Sequence, residues 1–530
     1  MPLPRALSLA LVLLFALPAA ASARDFPRDF LWGTAIAGLQ TEAGGRPAHA
    51  DRGSDWWVWS RDPMNIERGW VTGDRIDRGP GHWNRYRQDI ALARKRLGSS
   101  AFRLSVEWSR VFPRSTARVK VGRSIGRDDL RRLDGLADHR ALRHYAAELR
   151  EVRRRGMAPF VTLSHFSLPS WVHDPIAVRD ALASRGPDEP LPRGLRRAGW
   201  LDPGTVGEFR KYAAYLAWKL GHLVPYWTPI NEPLVVAANG YVNVPGAFAG
   251  YFPPGAFSFT AAIEVVKNLV AANRAAYDAV HRRDRRARVG PVHNMIAFTP
   301  ADPASAADRL GAEHADYVFN RLFLDAVVKG REDLNVDGRI TAGERHPDRA
   351  GKADFVGLNY YFRSRVQGLG DALSTRIRLL DFLPTNSYRT PQSPSLAPCP
   401  TTCTDFGWEI FPEGFRRSLE TAGDYGLPVY VTENGLADSD DDQRTAYLVS
   451  HLRAMRAAMR SGQARVRGYL HWTLVDNFEW AAGYYPRFGL FSYDPDTLRR
   501  TARPSARVFA RIARTGNLPR VEPPPAEAAR

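Results

Sequence analysis

Short apolar runs alternate with longer amphipathic segments through most of the chain. Eight runs of five or six residues have the aliphatic and aromatic content of buried strands. Between them, segments such as Trp83–Leu97, Asp138–Arg154 and Pro203–Leu220 repeat apolar residues every three or four positions, which predicts helices with one buried stripe. This alternation predicts an α/β fold, a single (β/α)8 TIM barrel, rather than a doubly wound sheet. The predicted strands are Phe30–Ala35, Ser100–Ser105, Ala158–Leu163, Pro225–Ile230, Val289–His293, Asp354–Leu358, Pro428–Thr432 and Arg467–Trp472.

Two long connections are rich in Pro, Arg, Ser and Gly, at 173–200 and 365–407. We expect them to form loops around the mouth of the barrel. No linker divides the chain, so residues 24–518 are interpreted as one domain. The end of the chain, 519–530, contains three consecutive prolines and predicts a disordered tail.

The amino terminus has the pattern of a secretory signal peptide. Arg5 precedes an apolar run from Ala6 to Leu17, and the small residues after it end in Ala21-Ser22-Ala23. The run is short for a membrane span, and no other stretch reaches spanning length. Residues 1–23 are therefore predicted to be removed, and we expect a secreted or otherwise extracytoplasmic protein that begins near Arg24.

The chain is basic, with 74 Lys and Arg against 56 Asp and Glu and a formal net charge of +18. The excess lies in arginine-rich helical stretches, without zinc-finger spacing or a basic–aromatic RNA motif, so a solvated basic surface is favoured over a nucleic-acid site. Attraction to an anionic cell surface stays open. The thirteen histidines form no H-x-H or H-E-x-x-H pattern, which argues against a metal-dependent hydrolase.

The two cysteines, Cys399 and Cys403, lie in a Pro/Ser/Thr-rich segment. In an exported protein a small loop-closing disulfide is favoured over two free thiols. Without neighbouring histidines, a metal site at these cysteines is not indicated.

Two glutamates stand where predicted strands end. Pro225–Ile230 is followed by Asn231-Glu232-Pro233, and Pro233 cannot continue a strand ladder. Pro428–Thr432 is followed directly by Glu433. The carboxyl ends of barrel strands form the catalytic rim, and paired carboxylates that flank one bond are typical of glycoside hydrolysis. The sequence therefore predicts a glycosidase site built on Glu232 and Glu433.

A twelve-residue segment between predicted strands five and six matches the calcium loop D-x-[DN]-x-[DN]-G-x5-E. Its oxygen donors and a glycine at the sharp turn predict a structural Ca²⁺ site apart from the two glutamates. The predicted ligands are Asp333, Asn335, Asp337, the carbonyl of Arg339, Thr341 and Glu344.

Ordered blocks along nearly the whole mature chain resemble glycoside hydrolase family 1, the β-glucosidase family. The blocks that carry the resemblance are Phe26–Gly33 with Gln40 and Glu42, His82–Asp89, Phe102–Pro113, Val161–His165, Asn231–Pro233, Gly357–Tyr361, Thr432–Gly435, Trp472–Trp480 and Tyr485–Gly489.

The resemblance implies a role for each matching residue. Glu433 would be the nucleophile, with Arg103 and Tyr361 as the neighbours that keep it ionised, and Glu232 the general acid/base. Retention of configuration would follow from a double displacement through a covalent glycosyl–enzyme, without a cofactor for catalysis. The implied sugar contacts are Gln40, His165, Asn231, Asn359, Trp472, Glu479 and Trp480.

Departures from the family pattern concern the glycone pocket. Phe166 replaces the usual Trp after the histidine, and Leu39 replaces the usual aromatic residue before Gln40. Glu479 predicts an unphosphorylated glycone. The expected activity is a secreted retaining exo-β-glycosidase that acts on a small β-glycoside, most simply a β-glucosidase. A transglycosidase and a catalytically silent carbohydrate-binding protein are the alternatives; oligomeric state is not predicted.

Overall fold

A computed structural model describes residues 24–242, 251–370 and 377–519. The predicted signal peptide, 1–23, and all of the predicted tail except residue 519 lie outside these ranges. None of the helices in the described ranges is both long and apolar enough to cross a membrane.

The fold is a closed ring of parallel strands, which confirms the predicted (β/α)8 barrel. The strands pair in the order β5-β4-β3-β2-β1-β10-β9-β7-β6, all parallel, while β8 is antiparallel to β7 and β11 pairs with β12 apart from the barrel. The strands are β1 (Leu31–Ala35), β2 (Ala101–Ser105), β3 (Ala158–Ser164), β4 (Tyr226–Ile230), β5 (Arg288–Val289), β6 (Val292–Pro300), β7 (Val356–Gly368), β8 (Phe382–Thr385), β9 (Val429–Asn434), β10 (Val466–Trp472), β11 (Phe491–Tyr493) and β12 (Arg500–Ala502).

The fifth barrel strand is interrupted, and this differs from the continuous strand predicted at Val289–His293. Gly290 and Pro291 separate β5 from β6, since Pro291 has no N–H for the ladder. β5 pairs with β4, and β6 pairs with β7. A parallel bridge between Asn231 and Val292 joins β4 directly to β6, so the two pieces close the ring.

Helices cover the outside of the ring, as the apolar periodicity predicts. The α-helices are α1 (Gly38–Thr41), α2 (Asp55–Trp59), α3 (Pro63–Glu67), α4 (His82–Ala91), α5 (Trp108–Val111), α6 (Arg127–Asp134), α7 (His139–Arg154), α8 (Pro175–Leu182), α9 (Gly204–Leu220), α10 (Pro233–Tyr241), α11 (Phe259–His281), α12 (Ala306–Ala315), α13 (Leu322–Leu324), α14 (Pro412–Gly423), α15 (Arg444–Arg460) and α16 (Pro504–Thr515). π-helical turns at Leu92–Arg96, Asp316–Arg321 and Asp325–Lys329 continue or join helices, so the predicted helix Trp83–Leu97 is α-helical only as far as Ala91.

Helix α7 shows how sequence sets one such element. The side chain of Asp138 accepts hydrogen bonds from the N–H groups of Arg140 and Ala141 and caps the helix. Leu142, Tyr145 and Leu149 follow at three- and four-residue spacing and are buried. This stripe packs against the barrel, and the intervening arginines face solvent.

Aromatic side chains fill one end of the barrel. Phe160, Phe355, Tyr430 and Leu470 belong to one buried cluster, and the partly buried Tyr226 packs against it. Phe160 stacks on Tyr226 with ring centroids 4.1 Å apart. Tyr226, Phe355 and Tyr430 stand at or next to the amino ends of their strands, so this end is packed and the carboxyl ends are left to form a site.

The long connections contain more regular structure than predicted. The segment 173–200 includes α8, and 365–407 includes the end of β7 and the whole of β8. In the second segment, β7 and β8 form an antiparallel pair in which Arg365 lies opposite Thr385. A long connection separates the two strands in the sequence, so local composition does not reveal their pairing. Cys399 and Cys403 form a disulfide in this region.

Candidate active site

Glu433 lies on β9 with both carboxylate oxygens engaged. The guanidinium of Arg103, from β2, forms an ion pair with Oε1 through Nη1. The hydroxyl of Tyr361, from β7, donates to Oε2. All three side chains are buried. A cation on one oxygen and a phenol on the other fix the position of this buried carboxyl, as a nucleophile requires.

Arg103 is held in place by a network around Asn231. Its Nη2 donates to Asn231 Oδ1 at 2.6 Å, and its Nε donates to Thr162 Oγ1 at 3.1 Å. Asn359 Nδ2 lies 3.3 Å from the same oxygen of Asn231. Thr162 and Asn231 thereby fix the guanidinium that faces Glu433, and Asn359 holds Asn231 in turn.

Glu232 follows β4 and precedes α10 in a left-handed backbone conformation, with φ of 47°. Its N–H donates to the carbonyl of Val292 at 2.9 Å, and Pro233 starts the helix. A non-glycine residue at positive φ persists where its surroundings fix it, and such residues concentrate at functional sites. Here the conformation aims the carboxyl into the barrel mouth.

The carboxyl of Glu232 has amide partners instead of a cation. Asn359 Nδ2 donates to its Oε1 at 2.6 Å and Asn294 Nδ2 at 3.1 Å. Burial, and then the negative charge of Glu433, raise the pKa of Glu232 to about 8, against the smaller opposing effect of the amides and Arg103. Glu232 therefore carries a proton at neutral pH and can act as an acid.

Three further predicted sugar contacts form the walls above this pair. The ring of His165 lies between Trp472 and Trp480, with centroid distances of 5.8 and 6.0 Å and nearly parallel planes. Burial, and then the charge of Arg103, lower the pKa of His165 well below its usual value, so the imidazole is neutral. Its Nδ1 is buried without a hydrogen-bond partner, and a ligand hydroxyl would satisfy it.

Glu479 and Gln40 complete the polar wall. Gln40 Nε2 donates to Glu479 Oε2 at 3.3 Å and to the carbonyl of Phe478 at 2.9 Å. Burial, followed by the charges of Glu433 and Glu232, raises the pKa of Glu479 to about 8. The Oε1 of Gln40 is buried and unpartnered, which again leaves an acceptor for a hydroxyl.

These residues surround a cavity of about 110 Å³ at the carboxyl end of the barrel. Of the predicted site residues, seven line it directly, and Gln40, Arg103, Asn231 and Asn359 lie behind them. The seven are His165, Glu232, Tyr361, Glu433, Trp472, Glu479 and Trp480.

Several wall residues escaped prediction. Asn294 contacts Glu232 and stands one residue after the predicted strand Val289–His293, so the strand-end rule applied to Glu232 would have found it. Trp408 lines the cavity from the connection before α14, and Phe319 from the π-helical turn Asp316–Arg321; the sequence does not indicate that either reaches the site.

A second carboxylate network supports the walls from behind. Glu107 accepts from Ser105 Oγ at 2.8 Å and from Ser167 Oγ at 2.5 Å. Ser105 Oγ also accepts from the N–H of Gly38, at the start of α1, which carries Gln40. Ser167 is two residues after His165. Burial and the charges of Glu42 and Asp51 raise the pKa of Glu107 to about 8.

The acidic loop 333–344 lies between β6 and β7, away from the two glutamates. Asp333 accepts from the N–H groups of Asp337 and Gly338, and Gly338 has the positive φ of 77° that its turn requires. Glu344 accepts from the N–H groups of Leu334 and Thr341.

The donor set of this loop is all oxygen, which suits Ca²⁺. The carboxylates of Asp333, Asp337 and Glu344 nevertheless do not form a group of three whose ligand atoms all lie within 4.8 Å of one another. Within the described residues, three acidic ligand atoms within 4.8 Å of each other occur instead at Asp438, Asp440 and Asp442, two of which are exposed. The chemistry of the predicted ligands fits calcium, and their binding of it stays a prediction.

Comparison with known proteins gives matches along almost the whole chain. Residues 22–177 and 190–517 match the glycosyl hydrolase family 1 profile. A β-galactosidase of Pyrococcus woesei is 36% identical over 94% of this chain and 99% of its own length. β-Glucosidase A of Thermotoga maritima is 30% identical over 93% of this chain and 99% of its own.

A solved structure extends the likeness to the backbone. The β-glycosidase of Thermosphaera aggregans superimposes with a TM-score of 0.80 at 37% identity, over 93% of this chain and 98% of that one.

Proposed function

The chain belongs to glycosyl hydrolase family 1, and we propose that it is a secreted, retaining exo-β-glycosidase with β-glucosides among its main substrates. That it is a glycoside hydrolase rests on the family itself. One observation supports the finer proposal most strongly. The cavity holds two buried carboxyls with different partners, Glu433 with a cation and a phenol, and Glu232 with two amides and a pKa raised to about 8.

In the first step, Glu232 gives its proton to the glycosidic oxygen while a carboxylate oxygen of Glu433 bonds to the anomeric carbon. The bond between that carbon and the glycosidic oxygen breaks, its electron pair goes to the oxygen, and the aglycone leaves as an alcohol. Esterification removes the negative charge of Glu433, which is one cause of the raised pKa of Glu232. Glu232 is then a carboxylate suited to act as a base.

In the second step, Glu232 takes a proton from water. The water oxygen bonds to the anomeric carbon and displaces Glu433 as a carboxylate. Each step inverts the anomeric carbon, so the product keeps the β configuration. The reaction needs no cofactor.

The walls select one pyranose at the end of a substrate. Neutral His165, Gln40 and Glu479 offer polar atoms for hydroxyls, and Trp472 and Trp480 offer flat faces for C–H groups. Asn231 and Asn359 reach toward the reacting end from behind the two glutamates. The small volume of the cavity, about 110 Å³, supports exo-action on single sugar units.

The test is hydrolysis of p-nitrophenyl β-glucoside, β-galactoside, β-fucoside, β-mannoside and α-glucoside. We expect the β-glucoside and β-galactoside to be cleaved and the α-glucoside to be untouched. Proton NMR of the first product should show the β anomer before mutarotation. Appearance of the α anomer first would contradict retention, and a folded protein inert toward every β-glycoside would contradict the activity.

Export is the second part of the proposal. The n-region, apolar run and A-x-A site at 21–23 support cleavage at Ala23. Amino-terminal sequencing of the protein recovered outside the cytoplasm should begin at Arg24. Recovery of the uncleaved chain from the cytoplasm would overturn this part and leave the enzymatic part unaffected.

The loop 333–344 is proposed to hold one structural Ca²⁺ through Asp333, Asn335, Asp337, Arg339, Thr341 and Glu344. Calorimetric titration of the metal-free protein with CaCl₂ should give a single site. In a Glu344→Gln variant the binding should weaken by at least about tenfold, since this is the loop position that supplies two oxygens. Equal heats in both proteins would exclude the loop as the site.

A further inference from the structure

A hairpin follows the small loop that the disulfide closes. Cys403 and Glu409 lie opposite each other on its two arms, and the N–H of Thr404 donates to the carbonyl of Trp408 at 3.0 Å. This hairpin, residues 402–410, is called here the cysteine hairpin. Because Cys403 belongs both to the disulfide and to the first arm, the covalent bond restrains that arm directly.

The tip of the cysteine hairpin reaches the catalytic cavity. Phe406 and Trp408 both line that cavity. Trp408 stacks on Phe362 with ring centroids 4.9 Å apart. Its ring also lies 5.4 Å from that of Tyr361, whose hydroxyl donates to Glu433. The position of the hairpin therefore decides where one wall of the cavity stands.

A buried carboxylate joins the disulfide loop to the barrel. Glu409 accepts from Arg363 Nε at 3.0 Å and from Arg365 Nη2 at 3.2 Å, and both arginines are on β7. It also accepts at 2.7 Å from the hydroxyl of Thr401, which lies between the two cysteines. Glu409 is fully buried, whereas Thr401 and its neighbours 400 and 402 are exposed. Without the disulfide, this exposed segment is free to exchange its bond to Glu409 for bonds to water.

We propose that the disulfide positions Trp408 in the catalytic cavity, so that the oxidised chain binds substrate more tightly than the reduced chain. Cys399 and Cys403 are then positioning residues, since neither lines the cavity and both act through the cysteine hairpin. The inference rests on the proposed glycosidase function and adds to it a dependence of substrate binding on the oxidation state of the two cysteines.

The experiment begins with reduction of the full chain by tris(2-carboxyethyl)phosphine. Both cysteines are half-buried and the loop between them is exposed, so a small reductant reaches the disulfide. The phosphine gives two electrons to the S–S bond, which breaks into two thiols. One water molecule supplies the two thiol protons and the oxygen of the phosphine oxide. Titration of two thiols per chain shows that reduction is complete.

The measurement compares KM and kcat for p-nitrophenyl β-glucoside before and after reduction. We expect KM to rise by about three- to tenfold and kcat to stay within about twofold, since one aromatic contact is loosened while the two glutamates keep their partners. If complete reduction leaves KM unchanged, the inference fails and the proposed function stands. If the oxidised chain cleaves no β-glycoside, the proposed function fails.

A variant of Trp408 separates positioning from simple stabilisation. In Trp408→Ala, reduction should cause no further change in KM, because the side chain that the disulfide positions is absent. A disulfide that only stabilised the fold would change the Tm of both proteins on reduction and the KM of neither. A rise in KM that is equally large in Trp408→Ala would show that the effect does not pass through this side chain, and would overturn the proposal.

A milder variant tests the same connection with the disulfide and Trp408 intact. Thr401→Val removes the hydroxyl that joins the disulfide loop to Glu409, and should raise KM by about two- to fivefold. The matched control is Thr402→Val, at the next residue, which is exposed as well and should keep the wild-type KM. Equal KM values in these two variants would contradict the proposed route from the disulfide to the cavity.

Discussion

The glutamate pair of the barrel and the acidic loop are both groups of acidic residues, but their carboxylates take their hydrogen-bond and ion-pair partners from different parts of the chain. Glu433 is buried and takes its partners from Arg103 and Tyr361, 330 and 72 positions away in sequence. Asp333 and Glu344 take theirs mainly from N–H groups within the same twelve residues. The surroundings of Glu433 are therefore built by the barrel, and those of Asp333 and Glu344 by a local turn.

This difference shows that the surroundings of a carboxyl group determine the direction in which its pKa shifts. Burial raises the pKa of Glu232 to about 8, whereas the backbone N–H of Thr341, as the largest cause, lowers the pKa of Glu344. Glu232 can therefore hold a proton, whereas Glu344 stays an anion and is suited to bind a cation. Changes at the barrel site should therefore act on catalysis, and changes in the loop on stability.

Removal of the nucleophile should have the largest effect. Glu433→Ala should lower kcat/KM for an aryl β-glucoside by at least about 10⁴-fold, because no covalent intermediate can form. Azide should restore turnover and give the inverted glycosyl azide. The exposed Glu313→Ala serves as the control and should be fully active. Residual retaining hydrolysis without azide would remove Glu433 from this role.

Removal of the acid should depend on the leaving group. Glu232→Gln should lower kcat/KM by about 10²–10⁴-fold for a methyl or alkyl glucoside, which needs a proton, and far less for a dinitrophenyl glucoside. Equal losses for good and poor leaving groups would contradict the acid role.

The pH profile gives an independent measure of the same residue. The folded pKa of Glu232 lies above its ordinary value, so the protonated acid is present below about pH 8 and is lost as the pH rises through that value. Wild-type kcat/KM for a poor leaving group should fall through this range, and the fall should be absent in Glu232→Gln. A basic limb that persists unchanged in the variant would assign it to another group, such as Glu479 or Glu107.

The phenol beside the nucleophile should contribute less. Tyr361→Phe removes the hydrogen bond to Glu433 Oε2 and leaves the Arg103 ion pair. A hydrogen bond to a charged group accounts for about 1.5–3 kcal/mol, so kcat should fall by about 10- to 150-fold. A loss confined to KM would show that the hydroxyl binds sugar instead of holding the nucleophile.

The acidic loop should show the smallest effect on activity and a separate one on stability. With calcium present, Glu344→Gln should lower the Tm by a few degrees and leave kcat/KM for an aryl glucoside within about twofold. EDTA should lower the wild-type Tm similarly and leave the variant unchanged. Asp348→Asn, at an exposed residue outside the loop, is the control. If EDTA lowers the Tm of Glu344→Gln and Asp348→Asn equally, calcium does not stabilise the protein through the loop.

Much of this protein is determined by its sequence alone. Continuous apolar runs specify the barrel strands, which are buried on both faces, and period-3.6 apolar patterns specify the helices, which bury one face each. The strand-end positions of Glu232 and Glu433 follow from Pro233 and from the apolar runs before them. The acidic loop can also be recognised from the sequence, because its twelve residues supply most of their own hydrogen-bond partners.

The tertiary structure alone decided the rest. The pairing of β7 with β8 and the walls formed by Asn294, Phe319 and Trp408 depend on segments that meet only after the ring closes. The same holds for the raised pKa of Glu232. Burial and neighbouring charge set a carboxyl's pKa, and both are properties of the closed barrel, since they come from residues remote in the chain.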